Sequence, residues 1–124
     1  MAAIFVKGSG GSPAPAGATL LWTNPNPTSN RDTFSVNEDY TNYDAVIIEA
    51  RTSTSDGHTN KGVIMKNGTG ELCANNGTRR LTGRYVTVFN DTTITFSRGF
   101  DAGSGNNQNA DCIPLRIWGI VTGI

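Results

Sequence analysis

Residues 43–51 read YDAVIIEAR, and residues 81–98 read LTGRYVTVFNDTTITFSR. The first stretch has three consecutive β-branched residues within nine positions, which favours a central strand over a helix. In the second stretch apolar and polar residues alternate on both sides of Asn90 and Asp91, as in two strands joined by a turn. These two stretches therefore predict a β-sheet protein with a hairpin in its second half.

The sequence on both sides of these stretches repeats the same pattern of short apolar runs and turn residues. Polar, Gly-rich or Pro-rich segments at 24–30, 53–60 and 99–111 are typical of turns and exposed loops. Turn signals every 8 to 12 residues indicate an antiparallel β-sandwich or jelly roll with almost no helix. The further strands that we expect lie at residues 18–23, 32–36, 61–66, 71–74 and 112–121.

Size and composition agree with one all-β domain. The chain has 124 residues, of which 36% are hydrophobic and 16% are charged, and Gly, Asn, Thr and Ser take the place of good helix formers. Ten basic and ten acidic residues give zero net charge without a basic stripe, so nucleic-acid binding is not expected. We see no apolar run long enough for a membrane span and no secretory signal, which predicts synthesis and retention in a cytoplasm.

The N-terminal part of the chain has a different composition. Residues 1–7 (MAAIFVK) form a short apolar arm, and residues 8–17 (GSGGSPAPAG) form a linker ahead of a domain at residues 18–124. Gly and Ser keep such a linker flexible, whereas Pro extends it without pairing. Because so short an arm cannot bury itself, we expect Ile4, Phe5 and Val6 to dock onto another chain.

The only two cysteines are Cys73 and Cys112. A disulfide between them would close a long loop and stabilise the fold in an oxidising compartment. Synthesis in a cytoplasm instead favours two reduced cysteines in the core. Two cysteines and one histidine are too few for a four-ligand zinc site, and we expect no metal and no cofactor.

No group of residues indicates catalysis, so the protein is not expected to be an enzyme. His58 is the only histidine and lies in a polar loop, where exposure to solvent is the ordinary state. Glu38 and Asp39 are the best candidates for a hydrolase carboxylate pair, but adjacent carboxylates in a polar segment are usually solvated. A weak Ca²⁺ site in the loop 99–111 also stays open, although that loop lacks the EF-hand pattern.

Four aromatic residues are candidates for binding or packing. Tyr40 and Tyr43 lie in a polar segment and form a candidate ligand or receptor surface, since tyrosine is enriched at interfaces. Trp22 and Trp118 lie inside apolar runs, which favours packing in the core or at a subunit interface. Trp118 and Ile120, near the end of the last strand, are the candidate subunit interface, and core burial explains them equally well.

Three patches of sequence resemble small virion proteins of tailed bacteriophages and prophages, of the fibre-like or decoration type. The patches are LLWTNP with PTS at residues 20–29, YDAVIIE at residues 43–49 and CIPLRIWGI at residues 112–120. The apolar arm and its Gly-rich linker belong to the same resemblance, which covers most of residues 18–121.

The resemblance implies a structural protein on the virion surface, assembled in the host bacterial cytoplasm. Its arm would bind capsid or tail proteins, and its β domain would face outward as a head decoration, head fibre or short tail fibre. By analogy with such proteins, which are commonly trimers, it would form a homo-oligomer, and it could contact a host surface glycan. The alternative is a soluble, lectin-like domain that binds carbohydrate through Tyr40, Tyr43 and the loop 99–111.

Overall fold

A computed structural model describes residues 14–75 and 81–123 of the chain. Within these residues there are eight strands and no helix. The strands are β1 Thr19–Thr23, β2 Phe34–Asn37, β3 Ala45–Ser53, β4 Thr59–Met65, β5 Gly70–Asn75, β6 Leu81–Phe89, β7 Thr93–Asp101 and β8 Asp111–Ile120.

The strands form two four-stranded antiparallel sheets that pack face to face. Sheet A has the order β1-β8-β3-β4, and sheet B has the order β2-β7-β6-β5. Each sheet contributes one face to the shared core, in which the buried side chains come from both sheets. The outer faces of sheets A and B therefore lie on opposite sides of the domain.

Apolar residues at every second position of the strands build the core between the sheets. Val46 and Ile48 on β3 belong to the same buried cluster as Val86 on β6 and Ile94 and Phe96 on β7. Burial of one such side chain contributes about 1.5–3 kcal/mol. The alternation seen in the sequence thus becomes the inward and outward alternation of the strands.

A buried arginine also belongs to this interior. The guanidinium of Arg84 donates to the carbonyl oxygens of Cys112 (2.8 Å), Ser97 (2.7 Å) and Asp111 (2.9 Å). Burial lowers the pKa of Arg84 to about 10. Arg84 therefore connects sheet B to the first residues of β8 in sheet A, a structural role.

The structure confirms the all-β antiparallel sandwich and its eight strands, with changes at some boundaries. Strand β4 begins at Thr59, inside the segment expected to be a loop, and β7 extends through Gly99 to Asp101. The arm at residues 1–7, with Ile4, Phe5 and Val6, lies outside the described residues, as does most of the linker at residues 8–17.

Candidate functional site

The outer face of sheet A carries an apolar row that crosses all four strands. Leu20 on β1 pairs with Trp118 on β8, Trp118 pairs with Ile47 on β3, and Ile47 pairs with Val63 on β4. Paired residues of an antiparallel sheet point to the same face. Leu20 is 51% exposed and Val63 is 57% exposed, so the two ends of the row are open to solvent.

A charged row runs beside the apolar row on the same face. It consists of the charged residues Arg116, Glu49 and Lys61 on β8, β3 and β4, with the neutral Thr23 of β1 at its end. The Glu49 carboxylate is fully buried, with Arg116 Nη1 2.5 Å from Oε1 and Lys61 Nζ 3.8 Å from Oε2. A buried carboxylate needs such partners, because an unpaired charge away from water is costly.

A third row, Ile120, Ala45 and Met65, extends the apolar surface past the first. Met65 is exposed and Ile120 is half-buried, whereas Trp118 is only 1% exposed. The candidate subunit interface at Trp118 therefore needs correction, because its ring is already covered within one chain. Ile120 is partly exposed on the same face of sheet A as the exposed residues Leu20, Val63 and Met65.

The outer face of sheet B carries polar pairs on β2 and β7 together with exposed apolar residues on β6, namely Leu81 (41% exposed), Tyr85 (48%) and Val88 (40%). Its cross-strand pairs include Ser35 with Thr95 and Asn37 with Thr93. The Ser35 and Thr95 hydroxyls lie 2.8 Å apart, and the Thr93 hydroxyl donates to Asn37 Oδ1 at 3.1 Å. Hydroxyl and amide groups of this kind are readily hydrated, so the β2 and β7 side of this face can remain in water.

Two aromatic rings on this face pack against each other. Tyr85 on β6 and Phe100 on β7 stack with centroids 5.1 Å apart and planes tilted by 26°. Tyr85 is 48% exposed and lines an open cleft of about 390 Å³. The other residues that line this cleft are Thr69, Gly70, Glu71, Val86 and Thr87.

The expectation that Tyr40 forms a ligand surface is wrong. Tyr40 is 0% exposed, its hydroxyl donates to the carbonyl of Val36 at 3.0 Å, and its ring meets Phe89 edge to face at 5.6 Å. Burial also raises the pKa of the Tyr40 phenol. Because the residues next to Tyr40 in the sequence are polar, its position in the core was not predicted.

Tyr43 lies at one end of the domain and lines a cleft of about 410 Å³. Its ring lies over Gly119, where an added Cβ would come within 2.7 Å of three ring atoms. The charged groups of this cleft are already engaged: Lys66 Nζ donates to the Tyr40 carbonyl and pairs with Asp91, both within 2.8 Å. The contacts of Lys66 thus connect segments of the chain at this end of the sandwich.

Asp44, in the same cleft, holds the C-terminal residues. Its carboxylate accepts the Thr122 N–H at 2.7 Å, the Thr122 hydroxyl at 2.7 Å and the Gly123 N–H at 3.2 Å. These bonds hold the pKa of the Asp44 carboxyl below its usual value. Sequence reasoning did not identify this contact, because its partners are far apart in the chain.

Asp39 and His58, two of the residues considered for catalysis, take part in local contacts within their own loops. Asp39 accepts hydrogen bonds from the Thr41 N–H and hydroxyl, which lower the pKa of its carboxyl, whereas a glycosidase acid requires a raised pKa. His58 is exposed, as expected, and its Nδ1 lies 2.6 Å from Asp56 Oδ1, a contact that the sequence analysis missed. Asp56 and His58 lie two positions apart in one loop, and this spacing could have predicted the contact.

The two cysteines are free thiols in different environments. Cys112 is buried in the core, where loss of hydration raises the pKa of its thiol to about 12. Cys73 is exposed, so the expectation of a second core cysteine is wrong. Its register partner is Gly83, and Glu71 accepts its S–H at 3.6 Å, so Cys73 borders the surface around Tyr85 and Phe100.

Comparison with protein-family models, with curated proteins and with solved structures finds no match. Among residues 14–75 and 81–123, no cluster of three or more His, Cys, Asp or Glu side chains is suited to a metal ion. A search of the same residues for a helix of membrane-spanning length and hydrophobicity also finds none.

Proposed function

We propose that this protein is a structural protein of a bacteriophage virion, a surface accessory protein of the head-decoration, head-fibre or short tail-fibre type. The observation that supports the proposal is the outer face of sheet A, with exposed Leu20, Val63 and Met65 beside half-buried Ile47 and Ile120. Several exposed apolar residues grouped on one face are typical of interaction sites. The sequence patches that resemble virion proteins supply the biological setting.

The exposed apolar residues of sheet A and the polar pairs between β2 and β7 of sheet B support an orientation in the particle. An interface core is apolar and poor in free charge, while a surface that stays in water is polar. Sheet A would therefore face its neighbours in a homo-oligomer, for which a trimer is the form expected of such virion proteins. Sheet B would face outward from the virion surface.

The charged row of sheet A fits the same orientation. Glu49 is neutralised within its own chain by Arg116 and Lys61, so an incoming partner would not meet a bare carboxylate. An interface that covers paired charges avoids the cost of an unpaired buried one. The arm with Ile4, Phe5 and Val6 would add an extended segment that pairs with capsid or tail proteins, as in other strand-addition complexes.

The test is quantitative mass spectrometry of purified virions, with wild-type chain and three variants. Deletion of residues 1–7 and Val63→Asp should each reduce the copy number at least tenfold, while Asn37→Asp on sheet B, which also adds one negative charge, should assemble normally. Hundreds of copies would indicate head decoration, and a handful would indicate a tail location. Absence of the wild-type chain from particles would overturn the proposal.

Carbohydrate binding through Tyr40 and Tyr43 is not retained as a second function at those residues. Tyr40 has no exposed surface, and the acidic and basic groups beside Tyr43 are occupied by contacts within the chain. The observation that favours carbohydrate binding lies elsewhere, at the exposed ring of Tyr85.

A further inference from the structure

We propose that the outer face of sheet B binds a neutral pyranose sugar at the cleft lined by Tyr85, Glu71, Thr69 and Thr87. This inference adds a ligand site to the structural role proposed above and does not depend on it. It rests on an exposed aromatic ring that is fixed in place and bordered by hydrogen-bonding groups. Such a combination of an aromatic ring face and a few polar groups is common in small-ligand sites.

The ring of Tyr85 is held in a defined position. Phe100 stacks against it at 5.1 Å and does not itself line the cleft, so the two rings are layered and Tyr85 is the one next to the open space. Aromatic pairs in such offset stacks are favourable beyond their burial alone. The stack therefore supports Tyr85 from one side and leaves the cleft side of its ring for a ligand.

Gly83 explains why Phe100 can support Tyr85 in this way. Gly83 on β6 pairs with Phe100 on β7, and an added Cβ at Gly83 would collide with the Phe100 ring. The absent side chain lets Phe100 lie across the strand and reach Tyr85. A binding surface fixed before the ligand arrives loses little conformational entropy on binding.

The groups around the ring indicate the class of ligand. A pyranose has an apolar face of C–H groups, which packs on an aromatic face, and hydroxyl groups at its edge, which hydrogen-bond. Thr69 supplies a hydroxyl at the border of the cleft, and Glu71, opposite Tyr85 in the register of β5 and β6, supplies a carboxylate. The Thr87 hydroxyl donates to the Thr95 carbonyl at 3.4 Å, so it offers its oxygen to a ligand as an acceptor. A carboxylate accepts hydrogen bonds from sugar hydroxyls and repels the negative charge of acidic sugars, so the ligand should be neutral.

The size and placement of the cleft agree with this ligand. Its volume of about 390 Å³ lies within the usual range of small-molecule sites. Its open side suits an internal or terminal unit of a longer chain rather than an enclosed free sugar. The cleft lies on the face opposite to the apolar rows of sheet A, so it stays accessible when sheet A is covered.

The protein carries its own attachment point for a reporter. Cys73 is exposed and neighbours this surface, while Cys112 is buried. A fluorophore attached to Cys73 of the full chain would report occupancy of the cleft. The probes are cellotriose, maltotriose and chitotriose as neutral ligands, with trigalacturonic acid as the acidic counterpart.

We expect at least one neutral trisaccharide to bind with a dissociation constant in the millimolar range or below, and the acidic one to bind at least tenfold more weakly. Tyr85→Ala should weaken binding at least tenfold, and Tyr85→Phe should retain most of it. Tyr43→Ala is the matched control, an aromatic residue in the other cleft, and should bind as wild type does. Two-dimensional NMR spectra would confirm that each variant is folded and, without the fluorophore, repeat the titrations.

Three outcomes would overturn the proposal: no neutral trisaccharide binds at 20 mM, Tyr85→Ala binds like wild type, or Tyr43→Ala is the variant that loses binding. A change seen only with the fluorophore and not by NMR would also count against it. Because these titrations use the isolated chain, they can fail while particle incorporation succeeds. Sugar binding without incorporation into particles would likewise separate the two proposals.

Discussion

The two outer faces of this sandwich differ although both come from the same alternation of strand residues. In sheet A, β3 and β8 are buried along nearly their whole length on both sides. In sheet B, β6 and β7 alternate between buried and more exposed residues. Strands with long apolar runs are typical of sheets covered on both faces, and alternating strands are typical of sheets with one face in water. The centre of sheet A is thus already covered within one chain, and its exposed apolar residues Leu20, Val63 and Met65 lie on the edge strands β1 and β4.

The largest expected effect on stability is at the charged row of sheet A. Arg116→Ala would leave the buried Glu49 carboxylate with Lys61 at 3.8 Å as its remaining cationic partner in the row. We expect a loss of about 3 kcal/mol in the free energy of unfolding, the lower end for breaking a buried pair, because Arg116 itself is partly exposed. Urea denaturation at pH 7 measures it.

Arg98→Ala is the control for this substitution. Arg98, on β7 of sheet B, pairs with Asp32 at 3.4 Å, and both side chains are well exposed. Loss of such a pair should cost no more than about 1 kcal/mol. Equal losses in the two variants would show that the row on sheet A is not specially protected, and would weaken the contrast between the faces.

The second effect concerns self-association. Val63→Asp places a charge among the exposed apolar residues of sheet A, and we expect the dissociation constant of the homo-oligomer to rise at least tenfold, or about 1.4 kcal/mol. Asn37→Asp places the same charge on sheet B and should leave association unchanged. Sedimentation velocity over a range of concentrations measures both. A wild-type chain that stays monomeric at 100 µM would contradict self-association through sheet A.

Most of the fold could be predicted from the sequence, because strand alternation and turn residues are local signals. The stretch at residues 81–89 became β6 without change, and the terminal run at 112–121 became β8 within one residue at each end. The extension of β7 through Gly99 was not expected, since Gly usually marks a loop. Gly99 is buried there, and an added Cβ would meet the carbonyl of Gln108 at 2.6 Å.

The surfaces were harder to predict, because they depend on which strands become neighbours. Glu49 and Arg116 are single opposite charges inside apolar runs, and this was a usable signal for a buried pair. Tyr85 was recognised only as part of an alternating strand. Its importance comes from Phe100 and Gly83 on neighbouring strand positions, which sequence spacing alone does not reveal.

The third effect compares two tyrosines. Tyr40→Phe would leave the buried Val36 carbonyl without the phenol donor, and we expect a loss of about 1 kcal/mol. Tyr85→Phe removes a hydroxyl from a half-exposed ring on sheet B and should change stability by less than about 0.5 kcal/mol. Thermal and urea unfolding measure both. A larger loss for Tyr85→Phe would contradict the assignment of Tyr40 to the core and Tyr85 to the surface.

The smallest effect is a pH dependence at the end of sheet A, where Asp44 binds the residues that follow β8. Since the pKa of Asp44 is lowered in the folded protein, its contribution to stability is present above the unfolded pKa of about 3.9 and is lost as pH falls through the folded value. Asp44→Asn should therefore be less stable than wild type at pH 7, and the difference should shrink below about pH 3.5. Urea unfolding of both proteins across this range measures the difference, with Thr122→Val as the variant that removes the hydroxyl bond alone and should give a smaller effect of the same sign. A difference that does not change with pH would show that the Asp44 carboxylate is not what holds the chain end against sheet A.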